Sequence, residues 1–194
     1  TEKMTAWMKV ERPDLSFPEF SVDKEVDVSV AHCPERVMPG HIVRELVEND
    51  RIIGGMTSHC AERAHGLYKA FVKGDCLITD CRTAELSKLV ENSFRDVNIA
   101  FANELSLICD KLGINVWELI MLSNHHPRVD ILQPGPGVGG HCIAVDPWFI
   151  VDSAPNEAKL IHAARLVNDG KPSFVLEKIK LAVKATARKQ SELR

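Results

Sequence analysis

Residues 83–112 read TAELSKLVENSFRDVNIAFANELSLICDKL. Apolar residues recur here every three or four positions and no proline interrupts them, which predicts one amphipathic helix of roughly 30 residues and ~45 Å. Thr83 is the predicted N-cap and Gly113 the predicted C-terminal stop. Such a helix is longer than a small domain needs for its own core, so we expect one face to bury in a partner.

The composition excludes several classes of protein. The formal charge of -3 provides no broad basic field for nucleic acid, and the 45% hydrophobic content is enough for an ordinary core. No apolar run approaches the roughly 18 residues that a membrane span requires. The six cysteines form no C-x-x-C pair. We therefore expect no metal site, nucleic-acid partner or membrane partner, and a reducing, cytoplasmic setting.

The segment before the long helix alternates strand and helix patterns. Strands are predicted at 26–32 and 76–79, with a further short strand or turn at 51–55, and Thr57 caps a predicted helix over 58–71. This alternation predicts an α/β fold.

The segment after the long helix is predicted to be helical, with one long interruption. Asn115 and Glu118 form a capping-box-like start to a helix ending near Ser123. A loop follows over 124–146. The remaining predicted elements are a short helical turn with Asp146 as N-cap and Pro147 as its first residue, and two helices at 155–167 and 174–184.

The loop contains the densest glycine cluster of the chain, GPGVGGHCIAVDP at 135–147. It does not follow a strand and Pro147 interrupts it, so it is not a dinucleotide-binding fingerprint. A flexible turn that presents Cys142 as a nucleophile is one interpretation. A buried, unreactive cysteine is the other.

Three further groups of polar residues are candidates for ligand contact. Lys88, Asn92 and Arg95 share one stripe of the long helix, which suits an oxyanion or a diphosphate, although a solvated helix face explains the spacing equally. The segments 33–36 (CPER) and 125–128 (HHPR) lie at a predicted strand end and in the loop. The alternative for the loop segment is ordinary solvation.

Three segments together resemble the nucleotide-sugar 6-dehydrogenase family: CPERVMPG at 33–40, TAELSKLVENSFRDVNIAFANELSL at 83–107 and HPRVDILQPGPGVGGHCIAVDPWF at 126–149. The resemblance extends over nearly the whole chain. Around 128–148 the sequence is more similar to the UDP-N-acetylmannosamine enzymes of the family than to its UDP-glucose enzymes.

The resemblance implies an NAD-dependent, two-step, four-electron oxidation of a sugar C6 hydroxyl to a carboxylate, used in polysaccharide biosynthesis. It implies that Cys142 forms a thiohemiacetal and then a thioester, that Lys88 and Asn92 face the oxyanion, and that Asp146 and Glu35 activate water. The residues implied to contact the UDP-sugar are Arg36, Val37, Lys88, Asn92, Arg95, His126, Arg128 and Gly139.

The resemblance also implies the architecture. Residues 1–81 would be the second half of a Rossmann-like NAD-binding domain, 82–180 an all-α central domain that forms a homodimer through the long helix, and 181–194 a linker towards a UDP-binding domain. The glycine fingerprint for NAD is not in these 194 residues, so the cofactor-binding residues are unknown and we expect the chain alone not to turn over substrate.

Other functions stay open at this stage. The substrate could be UDP-glucose or UDP-N-acetylglucosamine instead, and a non-catalytic dimerisation scaffold would use the long helix alone. A cysteine hydrolase would need a histidine bonded to Cys142, and the adjacent His141 is poorly placed for that. Alkylation kinetics at Cys142 against the other five cysteines would separate an enzyme from a scaffold.

Overall fold

A computed structural model of the chain describes residues 1–37 and 40–185, which form two compact units. The first unit runs from Thr1 to Lys88 and the second begins at Leu89, inside the long helix. Most of the predicted linker, residues 186–194, lies outside the described residues, as do Met38 and Pro39. Over the described part, no helix is both long and apolar enough to span a bilayer.

The first unit is a three-stranded sheet with helices, as the α/β pattern predicts. Its sheet has the order β1-β2-β3, in which β2 and β3 are parallel and β1 is antiparallel to β2. The elements are α1 (Glu2–Glu11), β1 (Ala31–His32), α2 (Ile42–Glu48), β2 (Arg51–Gly55), α3 (Ser58–Lys69), β3 (Cys76–Asp80) and the first turns of α4 (Cys81–Leu112).

Two adjacent glycines let helices pack directly on β2. A Cβ at Gly54 would lie 2.4 Å from the Cβ of Ala84, and one at Gly55 would lie 2.4 Å from the backbone nitrogen of Ala61. Any larger residue would push α4 or α3 off the strand. The Oγ1 of Thr57 accepts the Cys60 N–H at 3.2 Å, which confirms the predicted cap of α3.

The strand predicted over 26–32 is mostly wrong, since only Ala31 and His32 pair with β2. Asp27 and Val28 bond to the loop around Ser16 instead, and the Val30 carbonyl accepts the N–H of Met56, just past β2. The Asp27 carboxylate accepts the N–H of Ser16 at 2.8 Å, and the Val28 N–H donates to the Ser16 carbonyl at 3.2 Å. Alternating valines indicated an extended chain correctly, but they did not reveal which segment would satisfy its backbone.

The regular elements described in the second unit are all helices, separated by loops. They comprise the rest of α4, α5 (Val116–Ser123), α6 (Asp146–Ser153) and α7 (Lys159–Ala185). The positive φ of Gly113, 69°, and the bond from the Ile114 N–H to the Cys109 carbonyl confirm the predicted stop of α4. The Asn115 side chain caps α5 by accepting the N–H of Trp117 at 3.0 Å.

The predicted N-cap of α4 is wrong. The helix begins at Cys81, and Asp80 is the capping side chain because its carboxylate accepts the Thr83 N–H at 2.9 Å and the Thr83 hydroxyl at 2.7 Å. The backbone bond from Thr83 is the main reason that the pKa of Asp80 lies below its ordinary value. Thr83 therefore lies within the first turn.

Two other predictions are corrected. Asp146 is the first residue of α6 rather than its cap, and the cap position is Val145, which makes no side-chain bond there. The two helices predicted around Pro172 are one helix, α7, which continues through this proline. The helix survives because Arg165, Asn168 and Lys171 on its inner face are buried, and their bonds to other elements hold it across the missing N–H.

Candidate active site

The loop between α5 and α6 is irregular throughout, as predicted, but side chains and glycines define its path. The Asn124 side chain brackets Ile131, donating to its carbonyl at 3.0 Å and accepting its N–H at 2.8 Å. Gly137 and Gly140 have φ values of 143° and 92°, which residues with a Cβ rarely adopt. The glycine cluster therefore shapes the turn that precedes Cys142.

Cys142 lies on a tight turn that leads into α6. Its carbonyl accepts the N–H of Val145 at 3.0 Å and the N–H of Asp146 at 2.8 Å. Among the six cysteines, all of which the structure describes as free, Cys142 is exposed and the other five are buried or half-buried. An accessible sulfur on a backbone fixed in this way is suited to attack an electrophile in solution or in a bound ligand.

One side-chain bond joins this turn to α4. Asn92 is only 6% exposed, and its Nδ2 donates to Oδ2 of Asp146 at 2.6 Å. Since the Asp146 N–H is itself bonded to the Cys142 carbonyl, the structure brings Asn92 and Asp146 together with the cysteine turn. Lys88 lies one helical turn before Asn92 on α4 and is half-buried, while Arg95 is exposed.

The remaining predicted residues of this unit lie on the surface of the loop. His126, Arg128 and Gly139 are exposed, and the Arg128 N–H donates to Nδ1 of His126 at 3.3 Å. The loop therefore presents an imidazole and a guanidinium to solvent, where an anionic ligand could reach them.

In the first unit, the segment 33–36 is held by a buried arginine that sequence reasoning missed. Arg51 is 3% exposed, and its Nη1 donates to Oε1 of Glu35 at 2.8 Å. Arg36 extends to the Asp50 carbonyl at 2.8 Å, and Val37 next to it is half-buried. At the start of the predicted strand or turn at 51–55, Arg51 could not be distinguished from a solvated charge.

Glu35 is ionised more readily than a free glutamate. Partial burial opposes the charge, but the bond from Arg51 and the N–H of Arg36 outweigh it, so the pKa of Glu35 lies below its usual value. A lowered pKa makes a carboxylate a weaker base. The lowered pKa therefore counts against Glu35 as the base that activates water.

We expect Glu35→Gln to destabilise the first unit slightly at neutral pH and not at all in acid. A lowered folded-state pKa adds stability above the ordinary value of 4.5, and that stability disappears as the pH falls through the folded-state pKa. Because the Glu35 side chain is 50% exposed, the loss at pH 7 should stay below about 1 kcal/mol. Urea unfolding at pH 7 and pH 3 measures it, with Glu25→Gln as control, and a loss that persists at pH 3 would contradict it.

A cleft of about 300 Å³ lies over the carboxyl ends of the parallel strands β2 and β3. It is lined in part by hydroxyl, carboxylate and glycine residues, namely Ser21, Asp23, Gly55, Thr57, Ser58 and Asp80. Open α/β sheets bind nucleotides at this edge, and carboxylates suit ribose hydroxyls rather than phosphates. With a volume at the lower end of the usual range for ligand pockets and these polar groups, the cleft is a candidate site for a ribose-bearing ligand.

Two family models match successive parts of the chain. The family model described as the UDP-glucose/GDP-mannose dehydrogenase family, NAD binding domain, matches residues 2–72, and the model of the central domain matches residues 82–170. The chain belongs to the UDP-glucose/GDP-mannose dehydrogenase family. This confirms the predicted family, the predicted Rossmann-like part ahead of a helical domain, and NAD as the cofactor of the domain matched.

Relatives and solved structures of this dehydrogenase family cover nearly all of the chain. An NDP-N-acetyl-D-galactosaminuronic acid dehydrogenase of Ralstonia nicotianae is 66% identical over 95% of this chain and 43% of its own length. A UDP-N-acetyl-D-mannosamine dehydrogenase of Campylobacter jejuni is 67% identical over 95% and 45%. The structure of the UDP-D-ManNAc dehydrogenase of Pyrococcus horikoshii has a TM-score of 0.83 at 45% identity, covering 97% of this chain and 43% of that one.

The chain thus spans less than half the length of the relatives that it matches. Family membership is established over the two segments present.

Proposed function

We propose that this chain provides NAD-binding and catalytic segments of a dehydrogenase that oxidises the C6 hydroxyl of a UDP-N-acetylhexosamine to a carboxylate, with UDP-N-acetyl-D-mannosamine as the preferred substrate. The observation that carries the proposal is the exposed Cys142 on a turn bonded through Asp146 to the buried amide of Asn92. Alcohol oxidation alone needs no nucleophile. Oxidation of the resulting aldehyde to the carboxylate is easier when a nucleophile first adds to the aldehyde carbon.

The proposed role of Cys142 is to attack the C6 aldehyde. A bond forms between Sγ and C6, and the carbonyl oxygen becomes the oxyanion of a thiohemiacetal, towards which Lys88 and the Asn92 amide would donate. When bound to the first unit, NAD would supply the hydride acceptor that both oxidations at C6 need. The thioester left on Cys142 is hydrolysed by water, and Asp146 is the proposed base, with Glu35 as second candidate.

The proposed contacts with the sugar nucleotide combine positive charges with backbone and amide donors, which suit a diphosphate. They are the residues carried over from the family resemblance: Arg36, Val37, Lys88, Asn92, Arg95, His126, Arg128 and Gly139. In support, the loop members of this set are exposed.

The experiment that tests the function is an NADH assay on the full-length protein with three substrates in parallel: UDP-N-acetylmannosamine, UDP-N-acetylglucosamine and UDP-glucose. The proposal requires two NADH per sugar nucleotide, with the first substrate preferred. Preference for either of the others would move the substrate assignment within the family. No NADH from any of them would favour the alternative of a non-catalytic scaffold. We also propose that the 194 residues alone give no turnover.

The apolar stripe of α4 supports a homodimer. Four apolar residues lie on one side of the helix by their spacing, and their exposed fractions are between 45% and 69%: Val90, Phe94, Phe101 and Ile108. A patch of this kind marks an interaction surface, and a second copy of the chain is the partner that the family resemblance implies.

We expect Phe101→Lys to reduce the mass of the protein in solution to that of a monomer, because it places a charge in the centre of this stripe. Light scattering after size exclusion measures the mass. Leu67→Lys is the matched control, since Leu67 is 67% exposed on α3 and lies outside the stripe. A wild-type monomer, or a Phe101→Lys dimer as stable as the control, would contradict the proposed interface.

A further inference from the structure

The glycine loop is fastened to the middle of α4 by one buried side chain. Asn103 is fully buried, and its Oδ1 accepts the N–H of Gly135 at 2.9 Å. At the other end of the same amide, Nδ2 donates to Oδ1 of Asn168 on α7 at 2.8 Å. An amide with both ends satisfied in this way has one favourable orientation.

That orientation is fixed from the far side by a charge. The Nδ2 of Asn168 donates to the backbone carbonyl of Asp96 at 3.0 Å and to its Oδ1 at 2.8 Å, and Nη1 of Arg165 reaches the same Oδ1 at 2.6 Å. A carboxylate only accepts, so Asn168 must turn its NH₂ towards Asp96 and its oxygen towards Asn103. Asn103 is then left with its oxygen facing Gly135.

A second contact holds the same part of the loop on α7. A Cβ at Gly137 would lie 2.9 Å from Cγ of Pro172 and 3.5 Å from the Asn168 carbonyl oxygen. Because proline has no N–H, this carbonyl receives no donor from residue 172, and the loop backbone lies over it. The loop is therefore anchored at 135–137 before Cys142 and, through the bond from Asn92, at Asp146 after it.

We propose that Asn103 is a positioning residue for the reaction, which sets where the loop presents Cys142 without touching substrate itself. The proposal rests on the function proposed above. Its physical basis is that a misplacement of about 1 Å can lower a rate by as much as about 100-fold, even when the displaced group is far from the reacting atoms.

Amide hydrogen exchange, resolved at Gly135, tests the anchor without any turnover. In Asn103→Ala the Gly135 N–H loses its acceptor, and its exchange should accelerate at least about tenfold. Asn168→Ala is the matched control. It removes the Asn103–Asn168 bond and also the two bonds from Asn168 to Asp96, but it keeps the acceptor of Gly135. It should therefore accelerate exchange at Gly135 clearly less.

The kinetic test uses the full-length protein. Asn103→Ala should lower kcat at least about tenfold and raise KM for the sugar nucleotide by a smaller factor, because Gly139 is the one proposed sugar-nucleotide contact within the displaced segment 135–142. Asn98→Ala, whose side chain bonds only to the Phe94 carbonyl of its own helix in the described contacts, should change neither.

Each result decides one part. Unchanged Gly135 exchange in Asn103→Ala, or equal acceleration in both alanine variants, would overturn the anchor. Accelerated exchange with an unchanged kcat would overturn the positioning role. A wild-type protein that forms no NADH would remove the proposed function and the positioning role, while the exchange result would still decide whether Asn103 holds the loop.

Discussion

Replacing Cys142 with alanine is expected to reduce the yield of NADH from two per sugar nucleotide to at most one. The first oxidation removes a hydride from an alcohol and does not require the thiol. The second starts from an aldehyde, which must first become tetrahedral, and in the proposed mechanism the sulfur of Cys142 supplies that fourth bond. Without it the second step should slow by a factor on the order of 10³ or more.

The measurement is NADH formed at complete conversion of a limiting amount of sugar nucleotide, together with detection of the aldehyde. Cys76→Ala is the control, because Cys76 is half-buried on β3 and has no proposed role. The control should give two NADH. Two NADH from Cys142→Ala at the wild-type rate would contradict covalent catalysis by this cysteine, even if dehydrogenase activity itself is confirmed.

Arg165→Met should destabilise the second unit by about 3–5 kcal/mol, the range found when one member of a buried ion pair is removed. The side chains of Arg165 and Asp96 are 1% and 0% exposed and their atoms lie 2.6 Å apart. Burial already raises the pKa of Asp96, and the bonds from Asn168 and Arg165 offset only part of that effect. Without the guanidinium, the carboxylate would be a buried charge with no counter-charge at that contact.

Urea unfolding measures the loss, and the loss should shrink at low pH because a protonated Asp96 carries no charge. Asp169→Asn is the matched control. Asp169 is the other partner of Arg165, but its side chain is 50% exposed, so its contribution should stay below about 1 kcal/mol. Equal effects of the two substitutions would contradict a buried pair that carries stability.

Much of the fold follows from local sequence signals. The caps at Thr57 and Asn115 and the stop at Gly113 are correct because each depends on contacts within a few residues. The strand over 26–32 and the break at Pro172 are wrong because long-range bonds decide them. The backbone N–H groups of Asp27 and Val28 bond to Ser16, and buried partners hold α7 together across its proline.

The candidate site divides in the same way. The glycine cluster and Cys142 are recognisable from the sequence alone, and the structure places Asn92 and Asp146 beside the cysteine turn. Asn103 and Asn168 do not stand out, since polar residues on a helix are usually solvated. The seven-residue spacing of Asp96 and Asn103 places both on the same face of α4. The sequence does not show that α7 packs on this face, so the spacing alone does not predict that the two residues are buried.

The fit of Gly137 against Pro172 has a consequence for anyone who moves this site into another protein. The loop that carries the nucleophile cannot be transferred alone, because its backbone packs against the ring of a proline in a helix that is distant in sequence. A graft that takes the glycines and leaves the proline behind would carry the chemistry without its support, and natural variation at these two positions should be interpreted jointly.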